Sequence, residues 1–350
     1  MALRRWYGGF ECSVQSQDQS ASLALSILGA TVEAVTEGGC GVAKVPVAFG
    51  NRFDVTLSDA TGICDTLSIS LRRTRTTGAM EMPDATWPAW LVSETDDSAR
   101  LSVNGFEVSV AANPFWRLFA GGWEPETFGF YARHVRPGSM VLDIGSWIGP
   151  TALLAVSLGA SRVHMFEPNP LTLDQLAATR AMDDQLREAW VVHPHGVGNE
   201  VGSFSFGTPT GKQKASSASS LSGTGTVVEI KRLDAVLESI CGPGERDLAL
   251  VKIDIEGAET LIYRQLHEAR LDAPVLLSLH PPMWGKGANL DDLAALLEGH
   301  LVTGPDGTPL SPGVVLERVT STDPNPPWGS DHGNFFEIAL HPGGVGTAAA

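Results

Sequence analysis

The feature that most constrains this chain begins at Ser139. A short apolar run is followed by a helical pattern and then another apolar run, and the cycle repeats as far as Leu279. Met140-Val-Leu-Asp143 reads as a strand, residues 151–158 as a helix, 162–166 as a strand and 171–182 as a helix. Strands follow over 190–193 and 248–253, then a helix over 258–269 and a strand over 275–279. The run Leu248-Ala-Leu-Val-Lys-Ile253 is apolar almost throughout, as a strand covered on both faces must be. Strands alternating with helices pack as a parallel sheet with helices on both sides. The expected class is α/β.

The chain before this region reads differently. Val45, Val47 and Phe49 alternate, as do Val55 and Leu57, then Leu67, Ile69 and Leu71. Asn104-Gly105 separates two alternating runs, and both residues tolerate the positive φ of a type I′ turn, so residues 101–108 are expected to form a hairpin. Helical periodicity shows only around residues 20–28. The expected organisation is a small β-rich domain over 1–110, an aromatic connector over 111–138, a larger domain over 139–342 and a tail over 343–350. The connector carries Phe115, Trp116, Phe119, Trp123, Phe128, Phe130 and Tyr131. It reads either as a helix pair packed on the larger domain or as a wall over a ligand pocket. Residues 211–225 (GKQKASSASSLSGTG) are of low complexity and read as a loop.

Charge narrows the partners. Against 24 Lys+Arg stand 40 Asp+Glu, a formal net charge of −16, which opposes phosphate backbones and anionic lipid surfaces. Neither nucleic acid nor a membrane is expected as a partner; a small molecule or glycan is, with a homo-oligomer formed through the first domain as a further expectation. Cys12, Cys40, Cys64 and Cys241 stand far apart without a C-x-x-C pair, which fits a reducing cytoplasm. The start lacks the pattern of a signal peptide, and no segment approaches the ~20 apolar residues that span a bilayer.

In an open α/β sheet, ligands bind beyond the carboxyl ends of the strands. Four such ends here carry polar or glycine residues. The first is Asp143-Ile-Gly145-Ser146-Trp-Ile-Gly149-Pro150. Its G-x-x-x-G spacing is not the G-x-G-x-x-G that brings amides to a pyrophosphate, and Asp143 would face that dianion unfavourably. S-adenosylmethionine (SAM) carries an ammonium and a sulfonium and no phosphate, so the acid suits it better. The second end is Phe166-Glu167-Pro168-Asn169-Pro170. Glu167 stands 22 residues after Gly145, where an acid meets ribose hydroxyls in nucleoside-binding βαβ units, and Asn169 with Pro170 reads as the start of a helix. The third, Lys252-Ile-Asp254-Ile-Glu256-Gly257-Ala-Glu259, gathers three acids at a strand-to-helix corner. Glu259 reads equally as an acid favouring a helix N-terminus. The fourth is Leu279-His280-Pro281-Pro282, with His280 as catalytic base, metal ligand or turn residue.

Taken in order, DIGSWIGP, HMFEPNP, GVGNEVGSFSF, LVKIDIEGAE and LLSLHP resemble the FkbM-type family of SAM-dependent methyltransferases. The resemblance covers residues 113–281, with a continuation to His341. It implies a Rossmann-like seven-stranded sheet with helices on both faces, SAM as cofactor and O-methylation of sugars or natural products. By that resemblance Asp143, Gly145, Ser146 and Gly149 surround the methionine portion, Glu167 with Asn169 holds the ribose, and Gly198 with Asn199 lies near the adenine. Asp254, Glu256 and Glu259 match the family's acidic motif. Trp147 stands where many relatives carry Asn, so a polar contact there is expected to give way to packing.

A sugar hydroxyl is a poor nucleophile until it loses its proton. His280 is the expected base, with Asp254 and Glu256 beside it. Alternatively Asp254, Glu256 and His280 hold Mg²⁺ or another divalent cation. The loop over 207–226, with Lys212 and Lys214, reads as a lid or as a plain solvent loop. The rival readings are N-methylation of an amide or amine, a dinucleotide-dependent oxidoreductase, and a non-catalytic binding protein.

Overall fold

The structure, a computed structural model, describes residues 88–207, 220–221, 226–240, 248–284, 288–330 and 333–342, together with seven strands among the first 69 residues. The loop expected over 211–225 lies largely outside the described residues, Lys212 and Lys214 included, as does the tail over 343–350. Met1–Met82 with Asn325–Gly333 forms one compact unit, and Pro83–Pro324 with Asn334–Ala350 the other.

In the first unit, β1 (Ala2–Trp6), β2 (Gly9–Gln15) and β5 (Cys40–Pro46) make one antiparallel sheet. β3 (Ser22–Ile27), β4 (Ala30–Val35), β6 (Phe53–Asp59) and β7 (Gly62–Ile69) make another. The helix expected near residues 20–28 is strand β3. Leu23, Leu25 and Ile27 alternate with Ser22, Ala24 and Ser26, a period of two that a helical reading overlooks.

The second unit opens with β8 (Ala89–Glu94), β9 (Ser98–Val103) and β10 (Phe106–Ala111) in one antiparallel sheet. The Asn-Gly hairpin forms as expected: Val103 pairs with Phe106, and both turn residues take positive φ. It lies in the larger unit, however, so the compact units divide after Met82 rather than near residue 110. The reason is packing: Leu101, Val103, Val108 and Val110 are buried in the same core as α4 (Pro170–Met182), where Ala111 N donates to Thr179 Oγ1. The connector forms a helix pair, α1 (Phe115–Ala120) and α2 (Pro125–His134), with Trp116, Phe119, Phe128, Phe130 and Tyr131 buried.

The main sheet contains β11 (Met140–Ile144), β12 (Arg162–Phe166), β13 (Trp190–His193), β18 (Leu248–Ile253), β19 (Val275–Leu279), β20 (Leu301–Thr303) and β21 (Phe336–His341). Their order is β13-β12-β11-β18-β19-β21-β20, and only β21 runs antiparallel to its neighbours. Successive residues face opposite cores, as the strand period requires: Val141 and Leu250 pack into one, Leu142, Ile144, Val251 and Ile253 into the other. α3 (Pro150–Ser157), α4 and α5 (Asp184–Ala189) follow β11 and β12; α6 (Leu233–Ile240), α7 (Tyr263–Ala269), α8 (Leu290–Glu298) and α9 (Pro312–Thr320) contribute to the second core. A smaller sheet joins β14 (Gly196–Gly198), β17 (Thr226–Arg232), β15 (Gly202–Gly207) and β16 (Ser220–Leu221). None of the described helices is long and apolar enough to cross a membrane.

The helix expected over 258–269 is broken: a 3₁₀ turn over Ala258–Leu261 precedes α7. Within that turn the Glu259 carboxylate turns back to accept Gly257 N at 2.7 Å. The chain leaves β11 for β12 on one side and returns at β18 on the other, so the strand order reverses between β11 and β18. That is where a doubly wound sheet opens a crevice.

Candidate active site

The loop after β11 is built by its own hydrogen bonds. Gly145 N and Ser146 N donate to Phe166 O, Ser146 Oγ donates to Asp143 O at 2.6 Å, and Gly149 N donates to Ser146 O. Gly145, Trp147 and Gly149 all take positive φ. The two glycines have intramolecular reasons as well: a Cβ at Gly149 would meet Trp190, Met165 and Leu176, and one at Gly145 would strike the Asp254 carbonyl. Ser146 is buried and its hydroxyl donates within the loop, so it shapes the turn.

Asp143 is wholly buried beneath this loop. Its Oδ2 accepts Thr151 Oγ1 at 2.8 Å, and Oδ1 has no hydrogen-bond partner. Burial raises its pKa, while Lys252 and Thr151 act in the opposite direction. Glu167, at the end of β12, accepts Trp147 N at 3.0 Å on one oxygen and Asn169 N at 2.7 Å on the other. Burial pushes its carboxyl up to about 7 against those two donors. Asn169 caps α4, with Oδ1 accepting Leu171 N. Asp143, Gly145, Gly149, Glu167 and Asn169 are thus gathered at adjoining strand ends. Gly198 ends β14 of the smaller sheet and Asn199 follows it, their carbonyls taken by Gln265 Nε2 and Arg232 Nη1, and no hydrogen bond joins them to Glu167 or Asp143 among the described residues.

Trp147 packs as expected: its ring meets Phe115 edge-on at 4.5 Å, and Phe115 meets Trp123 at 5.2 Å. Such pairs contribute about 1 kcal/mol each beyond area burial. The connector therefore packs as a helix pair and also lends an aromatic flank to the loop.

Across the crevice stand the acids of β18 and the histidine after β19. Asp254, Glu256 and His280 each offer a ligand atom within 4.8 Å of the others. His280 Nε2 lies 3.4 Å from Asp254 Oδ1 and 3.7 Å from Glu256 Oε2. Glu259, which read equally as a helix-end acid, is the residue that orients the ring. Its Oε1 accepts His280 N and Trp284 Nε1, both at 2.7 Å, and lies 3.3 Å from His280 Nδ1. Nδ1 facing a carboxylate leaves Nε2 directed at the other two acids. Burial opposes charge on His280, but Glu259, Asp254 and Glu256 together push its pKa up to about 9. Glu256, held at φ 50°, is pushed up to about 8 by burial and by Asp254. Asp254 goes the other way: burial would raise it, yet Lys252 and His280 hold it below the usual carboxylate range.

Lys252 was legible only as a residue of the motif. Its ammonium is buried in the sheet and donates to Asp254 Oδ2 at 2.9 Å. A buried lysine ordinarily loses its charge. Here burial is outweighed by Asp254, Asp143 and Glu337, which hold it above the ordinary lysine value. Glu337 on β21 and Glu124 before α2 complete this acidic surround. Sequence gave no sign of either, since one sits in the last strand and the other resembles any acid at a helix start.

No curated protein matches the chain. Among solved structures it is similar to SMU.776, a putative methyltransferase complexed with SAH, at 10% identity and a TM-score of 0.38, covering 71% of this chain and 57% of that one. It is similar to a SAM-dependent methyltransferase from Agrobacterium tumefaciens at 12% identity and TM-score 0.35, covering 72% of each chain. It is also similar to TYW2 of P. horikoshii, in complex with MeSAdo, at 11% identity and TM-score 0.34, covering 71% and 72% respectively. The chain therefore spans under two thirds of the length of the first of these. Residues 141–299, a stretch that runs from β11 through the acidic corner and His280 to the end of α8, match the family model of the methyltransferase FkbM domain.

Proposed function

We propose that the chain is a SAM-dependent methyltransferase that methylates a hydroxyl of a sugar, glycoside or natural product. The observation that carries the reading is the cluster of Asp254, Glu256 and His280, oriented by Glu259 at the switch point of the sheet, beside the Glu167 strand end. When bound, SAM supplies an electrophilic methyl group on a sulfonium. The residues present suit it: Glu167 retains lone pairs for a ribose diol beyond its two backbone donors, and the unpartnered Oδ1 of Asp143 adds negative potential beneath the loop.

The acceptor's hydroxyl must lose its proton as the new bond forms. In the resting cluster His280 carries a proton at neutral pH, because its pKa lies near 9. Asp254 is ionised, and its Oδ1 lies 3.4 Å from His280 Nε2, so it holds the ring and favours its charged form. His280 serves as the base once its own proton has left. A divalent cation held by Asp254, Glu256 and His280 would displace that proton and polarise the hydroxyl. Turnover lost in chelator and restored by a divalent ion supports that route; turnover indifferent to chelator removes it.

Methyl transfer from labelled SAM, screened over sugars, glycosides, polyketides and peptides, tests the proposal. Failure of SAM and SAH to bind overturns it, and labelling of amines or amides alone replaces O- with N-methylation.

Glu167 adds a pH prediction. A carboxylate accepts both hydrogen bonds of a diol, whereas the protonated acid offers a donor in place of an acceptor. With its pKa near 7, the ionised form dominates above neutrality and fades below it. SAH affinity measured calorimetrically is expected to fall by up to about tenfold from pH 8 to pH 6, and Glu167→Gln is expected to abolish that slope. A flat profile in the wild type would detach Glu167 from the ribose.

A further inference from the structure

The row of side chains across the carboxyl end of the main sheet continues one strand past His280. Val141, Leu250, Leu276 and Ala339 pack into the first core. Asp143, Asp254, His280 and Phe335 each stand an even number of residues from one of these, so strand parity puts them on that same face. Their strands are neighbours in the order β11-β18-β19-β21. Contacts agree with the parity. His280 Nε2 lies 3.4 Å from Asp254 Oδ1, and the Phe335 ring lies 5.4 Å from the His280 ring, tilted by 52°.

Phe335 is half-buried and, among the described residues, belongs to neither hydrophobic core. Its neighbours in sequence are committed elsewhere. Asn334 is buried, and its Nδ2 donates to Arg318 O at 2.7 Å. Phe336 packs on the second core, with Arg318 Cζ 5.8 Å from its ring. Those two anchors fix the backbone on either side and leave the Phe335 ring beside the acid–histidine cluster. The residue also lies beyond residues 141–299, so the motifs of the matching family model do not account for it.

We propose that Phe335 is a specificity-determining residue, a platform for the flat apolar face of a ring-shaped acceptor whose hydroxyl is directed at His280. The inference rests on the SAM-dependent reading, because the direction of methyl transfer is what places the acceptor. The accepting oxygen must lie in line with the S–CH₃ bond, on the side of the methyl away from sulfur. The residues assigned to SAM lie at the ends of β11 and β12, and the cluster at the ends of β18 and β19. The far side is therefore β21, where Phe335 stands. A flat ring laid on an aromatic face gains buried apolar area and a stacking contribution, which an open-chain polyol cannot match. Two acceptor types share this chemistry: the C–H face of a pyranose, and the aromatic ring of a phenolic natural product.

The test is calorimetric titration of SAH-saturated wild type, Phe335→Ala and Phe335→Trp with two matched pairs. Methyl glucopyranoside is compared with glucitol, and catechol with ethylene glycol. Melting curves verify that each variant is folded, and Phe335→Leu, apolar but not flat, replaces Phe335→Ala if that variant melts early. The expected result is a preference of about threefold or more for the ring-bearing member of one pair in the wild type, kept by Phe335→Trp and lost in Phe335→Ala. SAH affinity is expected to be equal in all of them, which a general disturbance of the fold would not leave so. Loss of the glucopyranoside preference assigns the sugar face; loss of the catechol preference assigns the aromatic ring. If neither pair shows a ring preference that Phe335→Ala removes, or if SAH affinity falls along with it, the platform is wrong. Wild type that binds no SAH overturns the SAM reading instead, and the same pairs titrated without SAH still decide the platform.

Discussion

His280→Ala is expected to lower kcat by about 10²–10⁴-fold, the usual range for a positioned acid–base group, while SAH affinity stays essentially unchanged. The separation follows from geometry. His280 follows β19, whereas the residues assigned to SAM lie at the ends of β11 and β12. The fold should tolerate the change. Glu259 keeps the donors from His280 N, Trp284 Nε1 and Gly257 N, because the first is backbone and the other two belong to other residues; only the 3.3 Å contact to Nδ1 is lost. Without a bound cation, the imidazole must give up a proton held to pH of about 9 before it can accept another, so the wild-type rate should climb through that region. A cation in the cluster shifts the limb downward. Full turnover in His280→Ala with SAH still bound would remove the histidine from the chemistry and leave Asp254 as the group to pursue.

Five strands of the main sheet, β11, β12, β13, β18 and β19, were legible because each has a short-range signature, whereas β20 and β21 were not read. Leu248–Ile253 is apolar on both faces, and Asp143, Glu167 and His280 each end such a run. The acidic corner was legible for the same reason, and the structure does bring Asp254, Glu256 and His280 within reach of one another. What sequence could not show is pairing between distant segments. Glu259 looks like a helix-end acid until β19 places His280 and Trp284 against it. Glu337 is one polar residue of an edge-side strand until Thr127, more than two hundred positions earlier, donates to it. The hairpin's turn was readable from Asn104-Gly105, but its allegiance to the larger unit depends on burial against α4, which no local pattern carries. Ser146 has a use that no local pattern carries. The resemblance places it beside the cofactor, and its hydroxyl closes the loop by donating to Asp143 O.

Gly145→Ala is expected to produce the largest loss of stability of any single substitution in the loop, about 3 kcal/mol or more, seen as a steep fall in melting temperature or as failure to obtain folded protein. The residue sits at φ +86°, which costs an alanine roughly 1–2 kcal/mol. The larger effect is collision. An added Cβ would lie 1.7 Å from the Asp254 carbonyl oxygen and 2.7 Å from its carbon, both backbone atoms that no rotamer change can move. Asp254 cannot retreat, because its N–H is bonded to Ile144 O at 2.9 Å, next to the glycine itself. Gly105→Ala is the matched control: φ is +80°, yet nothing lies within 4 Å of the new carbon, so only the conformational cost should appear. Equal melting temperatures for the two variants would refute the collision. If Gly145→Ala folds at all, the strain falls on the backbone that carries Asp254, and turnover should suffer beyond what any loss of SAH affinity explains. The glycine of the cofactor loop is then required by the catalytic strand beside it, which ties the two halves of the site into one piece of backbone.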